Sequence, residues 1–138
     1  MNLNADLIRA RCAEIEESVQ RLERFQSVSV QEFVRNQDGL DVACYRLLVA
    51  IEASLALCYH VSAKRLRKMP EEYAECFNIL NEAGYISADL TRNLQQMARF
   101  RNLLVHVYWK IDYRRVHTII CDNLNDLREF AVSMARLM

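Results

Sequence analysis

Two glycines and a single proline in 138 residues leave this chain few positions for the tight turns that strands need at their ends. Chains so poor in turn formers fold as helices, whose connections need little beyond a cap at each end. At this length one domain spanning residues 1–138 is expected, with 52% apolar residues to fill its core. No internal repeat, low-complexity tract or flexible linker divides it. The expected fold is all-α: an antiparallel up-and-down bundle of four to five helices.

Apolar spacing places those helices. Ile8, Cys12, Ile15, Val19 and Leu22 recur at alternating steps of four and three, which predicts a helix over about residues 4–25. A polar connection is expected around residues 27–36, with Asp38 or Asp41 capping a second helix that reaches 60–64. That second helix is apolar nearly all round, from Val42 and Ala43 through Leu47, Ile51 and Leu57 to Tyr59. A helix of that kind is buried on several sides, and in so small a domain a second copy of the chain is the expected cover, giving a homodimer. Met69-Pro70-Glu71-Glu72 opens a third helix that ends at Gly84. Ser87-Ala88-Asp89-Leu90 begins a fourth. Asp112 caps a closing helix with the stripe Val116, Ile120, Leu124, Leu127, Ala131, Met134 and Met138.

Charge is balanced over the whole chain, so no global field draws it to nucleic acid or membrane. Locally the balance fails. Arg92, Arg99, Arg101, Lys110, Arg114 and Arg115 face Asp112 alone, about +5 by side-chain counting. The five cysteines are odd in number and none forms a C-x-x-C pair, so they read as small buried hydrophobes of a reducing cytoplasm. Residues 42–61 are long enough for a membrane span, but Arg46 and Glu52 interrupt them, and the start of the chain lacks a secretory signal. A cytoplasmic protein with no membrane partner is expected. Arg46 and Glu52 are odd on so apolar a helix. They pair across a dimer or with Arg99, and the sequence leaves both open.

One segment concentrates chemistry, from Met97 to Tyr108. It sets Arg101, Asn102, His106 and Tyr108 within eight residues, on or just past the end of an apolar helix. Asn102 and His106 are four apart and share a helical face, so the amide can fix the imidazole's tautomer. Arg101 lies about 7.5 Å along the axis from His106, within reach of its long side chain. A histidine that titrates near neutrality can take the proton of a ribose 2′-hydroxyl or return one to a leaving oxygen. A guanidinium beside it stabilises the charge that builds on phosphorus. Of the other histidines, His60 reads as structural at a helix end and His117 as solvent-facing. Lys64, Arg65, Arg67 and Lys68 read as a favourable helix end, or more sharply as an RNA backbone contact.

The segment resembles the R-x4-H motif of the HEPN superfamily and, more closely, its HepT-like branch with R-N-x3-H-x-Y and a following aspartate. Arg101, Asn102, His106, Tyr108 and Asp112 occupy those positions without departure. The resemblance implies the toxin of a type VII toxin–antitoxin pair, a homodimeric, metal-independent endoribonuclease with no cofactor. It implies Arg101 and His106 as catalytic and Asn102 as support for His106. It also implies an MntA-like nucleotidyltransferase antitoxin that adenylylates Tyr108, and an RNA substrate. Arg99, Lys110, Arg114 and Arg115 are the expected phosphate contacts. Two other readings stay open: a non-catalytic HEPN subunit that binds substrate or nucleotide for a split nucleotidyltransferase, and a structural partner whose motif only caps helices.

Overall fold

A computed structural model describes residues 2–106 and 111–138, with His106 described by its backbone alone. Every element among them is helical. In chain order they are α1 (Ala5–Glu23), a 3₁₀ turn (Arg24–Ser27), α2 (Val30–Arg35), α3 (Gln37–Arg65), α4 (Tyr73–Glu82), α5 (Ala88–His106), α6 (Tyr113–Asp122) and α7 (Leu124–Ala135). All five helices read from the stripes are present.

Local chemistry accounts for what the stripes did not specify. The expected polar connection contains α2, because the Ser29 hydroxyl accepts from Glu32 N–H at 3.2 Å and Phe33 buries itself in the core. The cap of α3 is Asn36, not Asp38 or Asp41. Its Oδ1 accepts from Gly39 N–H at 3.1 Å, while Asp41 is taken up by Gln37. Pro70 and the neighbouring acids precede α4 rather than opening it, since that helix begins at Tyr73. The closing stripe is split into α6 and α7 at Asn123, whose side-chain amide donates to the Asp126 carboxylate at 2.8 Å. Asp112 does cap α6, accepting from the backbone of Arg114 and Arg115 at 3.1 and 3.2 Å. Gly84 does close α4, at φ 81° in the left-handed region.

The core helix is α3, against which α1, α4, α5 and α7 all pack. Its length and apolar character would suffice to cross a membrane, yet half of its most apolar window is covered by its own neighbours. The side chains that fill the centre include Leu22, Leu47, Leu57, Leu80, Phe77 and Phe130, the last two ring edge to ring face at 5.6 Å. Truncating one such Leu costs about 2–5 kcal/mol, so the stripes carry most of the fold's specification. Along one line of α3 the cover is missing. Val42 and Tyr45 are 38% and 60% exposed, and Glu52 continues the same face at helical spacing. The chain's ends meet where Arg128 of α7 bridges Glu16 and Glu23 of α1 at 2.8 and 2.7 Å.

Two smaller expectations change. His117 does not face solvent: its Nε2 lies 2.7 Å from the Val28 carbonyl and its ring is 5.2 Å from Phe33, tying α6 to the α2 approach. Of the cysteines, only Cys58 and Cys76 are fully buried, and Cys121 is exposed.

Candidate active site

One face of α5 is core. Leu90, Leu94, Met97, Ala98, Phe100 and Leu104 are buried, which fixes the helix's rotation and turns Arg99 and Asn102 outward. Arg101 sits at the edge between these faces, its side chain only 18% exposed. Three groups hold it. Its Nε–H donates to a Glu52 carboxylate oxygen, and its Nη1 donates to Asn102 Oδ1 at 3.3 Å. The Tyr73 ring lies 5.5 Å from the guanidinium carbon, within cation–π range. The hydrogen bond that Arg101 donates to Glu52, more than any other influence, pushes the guanidinium's pKa further up, so its charge is secure. A guanidinium carries five N–H donors, and this arrangement fixes its plane while leaving Nη2 out of these bonds.

Glu52 therefore pairs with Arg101 and not with Arg99. Arg46 lies over the Tyr45 ring at 5.4 Å. Asn102 bonds Arg101. Its expected bond to His106 falls on a side chain outside the described residues, although both residues lie on α5. Tyr108, Trp109 and Lys110 also lie outside them. Of the expected phosphate contacts, Arg99 and Arg115 line one open hollow of about 350 Å³ together with Leu103. Arg114 is exposed at the start of α6 and does not border that hollow. Of the basic cluster at the end of α3, Arg65 donates to the Leu137 carbonyl at 3.2 Å, tying the end of α3 to the residues after α7. His60 is structural as expected, with Nε2 accepting from Asn4 N–H at 2.9 Å.

Behind the motif lies a larger hollow of about 430 Å³, bordered by Tyr59, Glu71, Glu72, Tyr73, Gln95, Arg99 and Asn102. The sequence offered no sign of it. Tyr73 comes from α4 and Tyr59 from α3, and only the fold sets their rings 5.8 Å apart, edge to face. Glu52 did leave a trace, as a lone carboxylate on an apolar helix. Among the described residues no three His, Cys, Asp or Glu side chains stand close enough to hold a metal ion.

A bundle of helices around one apolar core helix, with an arginine–asparagine pair anchored late on the helix that carries the R-x4-H spacing, defines a HEPN-type domain. Residues 15–134 match the Ribonuclease HepT-like family, and the chain belongs to it. It is 23% identical to the mRNA nuclease HepT of Shewanella oneidensis over 125 residues, covering 91% of this chain and 93% of that one. Its fold is that of the tri-AMPylated S. oneidensis HEPN toxin in complex with MNT antitoxin, with a TM-score of 0.84 and 22% identity over 96% of this chain and 97% of the toxin. The cytosolic protein YutE of Bacillus subtilis shares the fold as well, with a TM-score of 0.83 at 16% identity over 98% of this chain and 90% of YutE.

Proposed function

We propose that this chain is the toxin of a type VII toxin–antitoxin pair: an endoribonuclease that cuts RNA without a metal, using Arg101 and His106. The observation that carries this reading is the anchoring of Arg101, whose guanidinium is oriented by Glu52, Asn102 and Tyr73 on the motif helix. In the proposed reaction His106 takes the proton of a ribose 2′-hydroxyl, and the 2′-oxygen attacks the adjacent phosphorus. The P–O5′ bond breaks, and the leaving oxygen takes a proton as it departs. The products are a 2′,3′-cyclic phosphate and a free 5′-hydroxyl. Arg101 offers its remaining N–H groups to the phosphoryl oxygens as their charge rises. Asn102, by bonding Arg101, helps to hold the guanidinium in place. Arg99 and Arg115 line a path for neighbouring phosphates.

The protein works as a cytoplasmic homodimer, and the uncovered line of α3 through Val42 and Tyr45 towards Glu52 is the face for its second copy. An MntA-like nucleotidyltransferase neutralises it by adenylylating Tyr108, which places bulk and negative phosphate beside the catalytic pair. The relatives described above, a HepT mRNA nuclease and an AMPylated toxin held by an MNT antitoxin, support both halves of this reading.

The test is RNA cleavage by purified protein in EDTA, with the antitoxin absent. Cleavage is expected to proceed, to fall about 10²–10⁴-fold in His106→Ala and about 10²–10³-fold in Arg101→Ala. Full activity in either variant, or intact RNA with the wild type, would overturn the assignment. Incubation with the partner and ATP is expected to add one or more adenylyl groups at Tyr108, and mass spectrometry finding none there removes that part alone.

A further inference from the structure

The 430 Å³ hollow behind the motif is not needed to cut a phosphodiester, and its chemistry is not that of a phosphate site. Glu71 and Glu72 are both exposed on its rim, just ahead of α4. Two carboxylates repel every phosphate of a polyanion, so the backbone track does not run through here. The volume falls in the range of about 300–1,000 Å³ typical of small-molecule pockets. Its lining includes Tyr59 and Tyr73, aromatic residues of the kind on which unstacked bases settle. Asn102 and Tyr73 both border the hollow and both touch Arg101, so whatever fills it sits next to the scissile phosphate.

We infer that this hollow is the base pocket for a nucleotide flanking the cut bond, and that it selects guanine. The deduction rests on the ribonuclease reading above. A carboxylate accepts two parallel N–H groups, and guanine alone presents such a pair, N1–H and N2–H, side by side on its Watson–Crick edge. Adenine and cytosine set a ring-nitrogen acceptor beside their amino group, and uracil flanks its one N–H with two carbonyls. Each of these turns a lone pair towards the carboxylate. Arg99, expected to touch phosphate, borders this hollow too, and guanine O6 and N7 form the edge that a guanidinium reads with two bonds.

The experiment uses RNAs that differ at a single position, with cut sites mapped for wild type and for the double variant Glu71→Gln/Glu72→Gln. Wild type is expected to cut beside guanine about tenfold or more faster than beside any other base. In the double variant that ratio is expected to collapse towards one. A ratio is the right readout because removing two negative charges strengthens binding of all RNA alike. Equal cutting at all bases by the wild type, or a guanine preference that survives the double substitution, overturns the inference and leaves the ribonuclease intact.

A second readout separates the two failures. The deoxydinucleotides of guanine and of adenine lack the attacking hydroxyl and stay whole, so calorimetry can compare their binding directly. Tighter binding of the guanine form, lost in the double variant, upholds the pocket even if no RNA is cut. Equal binding of the two overturns it.

Discussion

Glu52 stands on α3 with its side chain 46% exposed, and its carboxylate receives the Arg101 Nε–H. An ion pair this open contributes little to folding, about 0–1 kcal/mol. Its consequence lies in direction, because losing the anchor lets the guanidinium swing away from the phosphate. Glu52→Ala is therefore expected to lower kcat by about 10–100-fold, with KM and melting temperature nearly unchanged, and Glu52→Asp to restore part of the loss. A KM increase that accounts for the whole effect would show that Glu52 acts on binding instead. His60 offers a pH test. Burial, then Lys64, lowers its pKa, in keeping with the Asn4 N–H that its Nε2 accepts only when unprotonated. A lowered histidine pKa means that its stabilisation is present above the unfolded value of about 6.5 and fades as pH falls through it. The melting-temperature advantage of wild type over His60→Ala should thus be largest near neutrality and shrink on acidification. An advantage that grows instead would mean that the protonated ring is the bound form. At this scale the motif was legible in the sequence and its anchors were not, because Glu52 and Tyr73 meet Arg101 across 49 and 28 residues of chain.

Between elements, caps decide where helices stop. Gly84 holds φ at 81°, and a Cβ added there would meet nothing within 4 Å. Alanine at this position therefore costs only backbone strain, about 1–2 kcal/mol, readable as a lower urea midpoint with an unchanged slope. A cost near zero would mean that the turn relaxes to another conformation. Gly39 makes the contrast, since its Cβ would stand 3.1 Å from the Asn36 amide that caps α3. The long helices α1, α3 and α5 were readable because each sustains its apolar pattern over four turns or more. The six-residue α2 was not, because only Phe33 is buried and its cap, Ser29, lies in a stretch that reads as polar loop. The break at Asn123 was hidden for a different reason. Leu124 resumes the apolar spacing after Ile120, so the pattern runs through the break without a gap.

For the molecule as a whole, the bare line on α3 is the feature that a lone copy leaves unsatisfied. Tyr45 is 60% exposed, and a charge placed there would be buried against its mate in a dimer. Tyr45→Glu is expected to sediment as a monomer at concentrations where wild type is dimeric, and to lose RNA cleavage with it. A dimeric Tyr45→Glu protein would move the contact to another face.

The bridge from Arg128 to Glu16 spans 112 residues and joins the first helix to the last. On the ribosome, α1 emerges long before α7, the flank that will cover it. A half-made chain thus has no settled bundle on which to mount the motif. Until α7 has docked against α1, α3 and α5, the helix that carries the motif lacks part of its support.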